Sequence, residues 1–373
     1  MEPVSHWAKC LEICSRRNKK AAMAMSREKR KLDHIRLALS SPPGGGSDFD
    51  DLQFVHRSLP ETNLEDCCLN TQIGGLALSS PVFINAMTGG AAAAKEINQR
   101  LAEAARETGV ALAVGSQRAA LINPELVDTY RIVRKVNPHG IIIANLGAGA
   151  SVDDAQRAIE MVEANLLQLH LNVPQELVMP EGDRHFKGML AAIQAVVERV
   201  STPVIVKEVG FGMCRETYTQ LKGIGVSIVD VGGRGGTNFV TIENRRRGKG
   251  EYEYLTDWGQ STAVSLLEAK GLTGVDLISS GGIRHPLDMA KSLALGAKAV
   301  GVAGPILRIL TQQGVQGVIE AIGSWHEQLR TIMTLVGTES VEGLTSVPLV
   351  VTGKTKQWCE ARGIDIRGLA HGR

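Results

Sequence analysis

The chain has 373 residues, with 41 basic and 39 acidic side chains and a net charge of +2. That balance excludes a nucleic-acid binder built on a broad basic face, and an aromatic content of 4% leaves little for stacking single-stranded bases. Six cysteines without CxxC spacing, no secretory signal and no apolar run of the roughly 18 residues needed to span a bilayer predict a cytoplasmic protein with reduced thiols.

Residues 1–25 read as a loose extension. Arg16, Arg17, Lys19 and Lys20 are accompanied by Glu2 and Glu12, and the apolar stretch 21–25 is too short for a signal-peptide core. Met25 is the expected true start, a transit peptide is the competing reading of the extension, and residues 26–373 read as one domain. On a helix, Arg30, Lys31 and His34 share one face and offer charge-assisted bonds to a phosphate. A solvated basic face after Arg27 and Lys29 is the competing reading. The stretch 39–51, rich in Pro, Gly and Ser, reads as a mobile linker.

Eight short apolar, β-branched runs follow, at 81–87, 110–116, 140–146, 166–172, 203–209, 227–232, 276–281 and 299–303. They read as strands buried on both faces, as in a parallel sheet. Helical spacing is read between them at 94–108, 124–136, 153–164, 187–200, 214–223, 257–270 and 286–295, with Asn123 as an N-cap before Pro124. Eight alternations predict an α/β fold, a (β/α)8 TIM barrel with an N-terminal segment and C-terminal helices after residue 306. No GxGxxG opens the first helix, which weighs against an open doubly wound sheet.

In such a barrel the active site lies at the carboxyl ends of the strands. The seventh run ends in Ser279-Ser280-Gly281-Gly282-Ile283-Arg284 and the eighth in Ala303-Gly304-Pro305, where bare amides can point at phosphate oxygens. Lys207 ends the fifth run. Its neighbour Glu208 points to the opposite face, so a pair between the two is disfavoured, and Lys207 is free to face an electron-rich ring. Thr88, Ser116 and Asn145 end the first three runs with short polar side chains suited to a heterocycle edge. Together these positions describe a flavin mononucleotide site. His170 and Asn172 share parity at the end of the fourth run, and Gln175 and Glu176 lie in the following loop. A carboxylate beside an anionic substrate makes sense mainly with a bridging magnesium ion; a water-exposed carboxylate is the competing reading for Glu176, and a core histidine for His170. Arg118 is a further phosphate candidate. Residues 245–247 with Lys249 read as a solvated loop or subunit contact.

Arg30-Lys31-x-x-His34, Ala86-Met87-Thr88-Gly89-Gly90, Gly115-Ser116-Gln117-Arg118, His170-Leu171-Asn172-x-x-Gln175-Glu176, Gly233-Arg234-Gly235-Gly236-Thr237 and Gly281-Gly282-Ile283-Arg284 occur in this order. The set resembles the type II isopentenyl-diphosphate isomerases, over nearly the whole chain from about residue 26. The resemblance implies FMN held by Ala86, Met87, Thr88, Gly89, Ser116, Asn145, Lys207, Thr237, Gly282, Ile283, Arg284, Ala303 and Gly304. It implies a diphosphate substrate met by Arg30, Lys31, His34, Ser116, Arg118, His170 and Asn172. Gln175 would sit beside the alkene, with His170 and Lys207 completing the catalytic set, and Glu176 would bind Mg2+. NADPH would reduce the flavin without being consumed at each turnover, and the assembly would be a homo-oligomer, a tetramer or octamer. The extension 1–25 departs from the family pattern.

The nearest rival is an FMN-dependent 2-hydroxy acid oxidase, which carries a base histidine just before Gly-Gly-Arg. Here the stretch is Asp230-Val231-Gly232-Gly233-Arg234, and valine cannot accept a proton. A non-catalytic flavin-binding protein is the second rival; it would need neither RKxxH nor HxNxxQE.

Overall fold

The computed structural model describes residues 47–372 other than Lys249, together with Asp33, Arg36, Leu37 and Leu39. The extension 1–25 and the expected phosphate ligands Arg30, Lys31 and His34 lie outside the described residues. Eight parallel strands close into a barrel: β1 (Val82–Ile84), β2 (Leu112–Ala113), β3 (Ile142–Gly147), β4 (Leu166–Leu171), β5 (Val204–Glu208), β6 (Ile228–Asp230), β7 (Asp276–Ser280) and β8 (Ala297–Val302). Every expected run holds one strand, in the expected order. All five residues of β5 are buried, because side chains on one face fill the barrel and those on the other meet the helices.

Period-two alternation sorts the strands into layers. Phe83, Ile143, Leu166, Ile205, Ile228, Ile278 and Ala299 form an apolar cluster inside the barrel. Their outward neighbours Val82, Leu167, Val204, Val206, Val229 and Val300 belong to the larger core shared with the helices. Two residues further along, the inward series becomes polar: Asn85, Asn145, Gln168, Lys207, Asp230 and Ser280, all buried. A hairpin of two short strands, Thr71–Ile73 and Leu76–Leu78, supplies Ile73 and Leu78 to the inner apolar cluster and so plugs that end of the barrel. Its turn sits so close that a Cβ on Gly74 would lie 2.5 Å from Ile228 Cδ1. The polar layer is thereby turned toward the carboxyl ends of the strands.

The linker expected over 39–51 is ordered at its end. Ser47 and Asp50 form a reciprocal capping box on the 3-10 turn Asp48–Asp51, and Phe49 is only 1% exposed. Burying that ring stabilises the turn by about 1.5–3 kcal/mol. Lys291 Nζ donates to Phe49 O at 2.8 Å, and Leu52–Phe54 pairs antiparallel with Leu349–Val351, fastening the segment to the C-terminal part of the chain. The helix expected at 257–270 is confined to Thr262–Glu268. Gly259 has φ +88°, outside helical space, and the Ser261 side chain caps from Val264 N. The helix expected at 124–136 divides into a 3-10 turn, Pro124–Leu126, and a helix, Asp128–Val136. After β8 comes a long helix, Gly304–Val336, broken at Gly314 (φ +71°, ψ −165°).

Glu208 points outward from β5 and is buried, accepting from Phe211 N at 2.5 Å and Gly212 N at 3.1 Å. Burial pushes its carboxyl up to about 8, although the two amides and Lys207 favour the charged form. The folded protein therefore keeps a proton that the unfolded chain releases near 4.5. Stability from this group is present below that value and is lost as pH rises toward 8. Between about pH 5 and pH 8, the wild type is expected to lose more stability than Glu208→Gln, measured by urea unfolding. Equal losses would show that Glu208 is ionised in the folded state.

Candidate active site

A cavity of about 1830 Å³ opens over the polar layer. Small-molecule sites are commonly about 300–1,000 Å³, so this space suits a nucleotide-sized cofactor and a second ligand together. Every expected site residue within the described part of the chain lines it: Ala86, Met87, Thr88, Gly89, Ser116, Arg118, Asn145, His170, Asn172, Gln175, Glu176, Lys207, Thr237, Gly282, Ile283, Arg284, Ala303 and Gly304.

Lys207 is held by partners that the sequence did not disclose. Its Nζ lies 3.0 Å from Asp230 Oδ2 on β6 and donates to Ser280 Oγ on β7 at 2.7 Å. Asp230 is fully buried and also receives Asn85 Nδ2 at 3.0 Å and Ser280 Oγ at 2.5 Å. The ammonium is fixed beneath the cavity floor rather than paired with Glu208.

A cradle of bare backbone lines the cavity after β6 and β7. Gly281 and Gly282 have φ of +92° and +71°, and a Cβ on Gly281 would lie 2.0 Å from Gly233 O. Gly235 and Gly282 touch in the same way, at 3.1 Å, so the loops after β6 and β7 meet without side chains. Beside them, Ala303 and Gly304 open the helix Gly304–Val336, whose N-terminus has no side-chain cap. Such an N-terminus presents unpaired N–H donors to an anion. Arg284 lines the cavity but is anchored to Asp288 and Asp50, and these carboxylates push its guanidinium pKa up. After β1, which pairs with β8, Thr88 Oγ1 is buried without a hydrogen-bond partner among the described residues. A buried hydroxyl in that condition is the kind of group a bound heterocycle satisfies. The cavity, the bare cradle and the orphan hydroxyl fit FMN.

At the end of β4 the cavity is lined by His170, whose Nδ1 lies 2.8 Å from Asn145 Oδ1. Gln175 and Glu176 are not in a loop. They lie on a short helix, Val173–Val178, with Pro174 in its first turn and Asn172 at the N-cap position. Asn172 Nδ2 donates to Glu176 Oε1 at 2.8 Å, and Asp183 N donates to Glu176 Oε2 at 2.8 Å. Gln175 Nε2 donates to the buried Glu243 Oε1 at 3.3 Å. Arg118 lines the cavity with its guanidinium on Asp154 at 2.7 Å.

The basic run at 245–247 is the last turn of a helix, Phe239–Arg247, and not a solvated loop. Arg246 pairs with Glu243 and Glu181, Arg247 pairs with Glu251 and covers the Tyr252 ring, and Arg245 lines the cavity. The buried carboxylate at 243 draws Arg246 inward, Arg245 stays exposed, and Lys249 lies outside the described residues. Among the described residues no three His, Cys, Asp or Glu side chains are grouped to hold a metal. Sequence reading missed Asn85, Gln168, Asp230, Ser280 and Glu243. Strand parity, carried two residues beyond each inward apolar position, would have found the first four.

Residues 182–350 match the family model of the FMN-dependent dehydrogenases. The barrel is also similar to mandelate oxidase (TM-score 0.60, 19% identity, covering 86% of this chain and 99% of that one). Flavocytochrome b2 is similar too (TM-score 0.62, 17% identity, covering 84% and 81%). The class is thus a flavin-binding (β/α)8 barrel. Curated relatives narrow it. An isopentenyl-diphosphate delta-isomerase of Geobacillus sp. (strain WCH70) is 53% identical over 345 residues, 92% of this chain and 99% of its own length. Those of Bacillus licheniformis (51%; 91% of this chain and 98% of its own) and Staphylococcus haemolyticus (47%; 91% and 98%) align as fully. The chain belongs to the isopentenyl-diphosphate delta-isomerases of the FMN-dependent, type II kind. Val231, the position where a hydroxy acid oxidase would need its base, is fully buried. No helix among the described residues is long and apolar enough to cross a membrane.

Proposed function

We propose that the protein converts isopentenyl diphosphate to dimethylallyl diphosphate by a 1,3-allylic proton shift, using reduced FMN and Mg2+, for isoprenoid biosynthesis in the cytoplasm. NADPH serves to reduce the flavin and is not consumed at each turnover, and the protein works as a homo-oligomer, a tetramer or octamer. One observation carries the reading: the Lys207 ammonium, the bare glycine cradle and the His170–Gln175–Glu176 group all line one cavity.

When bound, reduced FMN supplies an electron-rich ring able to take part in proton transfer and to stabilise positive charge. The chain's residues position the reactants around it. Lys207, held by Asp230 and Ser280, opposes negative charge on the ring. Thr88 Oγ1 is available to the ring edge, and the amides of the 281–282 loop and of the helix start at Gly304 suit the cofactor phosphate. His170 and Arg118 meet the diphosphate, together with Arg30, Lys31 and His34 of the N-terminal segment. Protonating the terminal alkene gives a tertiary cation, and loss of a neighbouring proton gives the isomer. Gln175 sits beside the alkene, its amide oriented by Glu243. Glu176 would hold Mg2+, which would neutralise charge on the diphosphate.

Withholding FMN, NADPH or Mg2+ in turn from an anaerobic assay is expected to abolish product in each case. Product formed without flavin would overturn the reading. Glu176→Gln is expected to raise the Mg2+ requirement about tenfold or more while leaving FMN affinity unchanged. An unaltered Mg2+ dependence would remove Glu176 from the metal site.

A further inference from the structure

A chain of buried side chains crosses the barrel from Lys207 to the half-buried His170, and the reading above uses neither Asn85 nor Gln168. Asp230 receives donors on both oxygens: Lys207 Nζ and Asn85 Nδ2 on Oδ2, each at 3.0 Å, and Ser280 Oγ (2.5 Å) and Gly232 N (3.1 Å) on Oδ1. Four donors leave the carboxylate only the role of acceptor. Asn85 must then turn its Nδ2 to Asp230 and its Oδ1 away. That orientation is fixed a second time, because Asn85 Oδ1 accepts from Ala86 N at 2.8 Å. Gln168 Nε2 donates to the same Oδ1 at 3.5 Å, and Gln168 Oε1 accepts from Asn145 Nδ2 at 3.4 Å. Asn145 Oδ1 is left to face His170 Nδ1 at 2.8 Å. Flipping Asn85 or Gln168 would set N–H against N–H, and flipping Asn145 would set its Oδ1 against Gln168 Oε1, in a place where Gln168 has no exposed surface and Asn85 and Asn145 have almost none.

We propose that Asp230 is a positioning residue for His170 as well as for Lys207. Through Asn85, Gln168 and Asn145, it sets the direction of every hydrogen bond in the chain and so holds the imidazole proton on Nδ1. A histidine tautomer is set by the partner of its other nitrogen. Nδ1 is therefore committed as a donor to Asn145. The same carboxylate fixes the lysine beneath the ring and the histidine beside the substrate. The tautomer stands on the hydrogen bonds alone; its catalytic consequence rests on His170 meeting the substrate as proposed above.

The test is a long-range 1H–15N spectrum of the full-length protein labelled with 15N-histidine, recorded without substrate at a pH where the ring is neutral. His170 is assigned by the signal lost in His170→Gln. The expected result is the Nδ1–H tautomer in the wild type. Gln168→Leu, which keeps the volume but cuts the chain, and Asp230→Asn, which ends the acceptor-only role, are expected to give mixed tautomers. Each is expected to lower kcat/KM by roughly tenfold or more. An Nε2–H ring in the wild type overturns the proposal, and so does an unmixed Nδ1–H ring in folded Gln168→Leu. Should the variants not fold, the wild-type spectrum decides alone. Failure of the isomerase reading would show in turnover and leave this spectrum unchanged.

Discussion

Lys207→Ala is expected to lose flavin binding and to cost about 3–5 kcal/mol of folding stability, because it leaves a buried carboxylate without its cation. Asp230 is fully buried, and only Asn85, Ser280 and the Gly232 amide would remain to satisfy it. The stability loss and the binding loss have separate origins. The first comes from the exposed imbalance at Asp230, the second from the missing positive charge under the ring. A cycle separates them. Lys207→Ala combined with Asp230→Ala is expected to recover part of the stability, since removing a buried pair costs less than breaking it, while FMN affinity stays low. Urea unfolding and a flavin-fluorescence titration read the two effects. A Lys207→Ala protein that unfolds with the wild type and still binds FMN would show that the network does not hold the site.

Gly281→Ala is expected to abolish FMN binding and destabilise the fold by about 3 kcal/mol or more, combining a left-handed backbone with an overpacked contact. The added Cβ would meet Gly233 O at 2.0 Å and Gly233 C and N at 3.0 Å. Those atoms are backbone, so relief requires the loops after β6 and β7, the proposed phosphate cradle, to part. Gly271→Ala is the control. Its φ of +84° is similar, but nothing lies within 4 Å of the added methyl. It is expected to cost only about 1 kcal/mol and to leave FMN affinity intact. Equal effects for the two would mean that backbone conformation, and not the close approach of the two loops, accounts for Gly281.

The barrel was legible because strands buried on both faces leave continuous β-branched runs, each closed by a turn. The strand ends were legible for the same reason: Lys207 in Val-Ile-Val-Lys and Asn145 in Ile-Ala-Asn interrupt apolar runs where a barrel opens. The partners were not. Asp230 stands opposite Lys207 in the β5–β6 register, and His170 stands opposite Lys207 in the β4–β5 register. Asn85 reaches Asp230 only because the barrel closes β8 onto β1. No local pattern encodes which strands become neighbours or how they slide, so the network belongs to closure and not to any single run. The same limit hid the partners of residues 245–247, read as a solvated loop or subunit contact. Their charge was visible, but the buried Glu243 that draws Arg246 inward was not identifiable as buried. Residues 47–51 read as linker because glycines and prolines dominate the stretch before them, while the single buried Phe49 carries the anchoring.

The most direct measurement is an anaerobic incubation of the purified protein with isopentenyl diphosphate, FMN, NADPH and Mg2+, following product by NMR and NADPH by absorbance in the same sample. Dimethylallyl diphosphate accumulating far beyond the NADPH oxidised is the expected result, since the double bond moves without net redox change. Bound and reducible FMN with no dimethylallyl diphosphate, or NADPH consumed mole for mole with product, would contradict a redox-neutral isomerase at this barrel mouth.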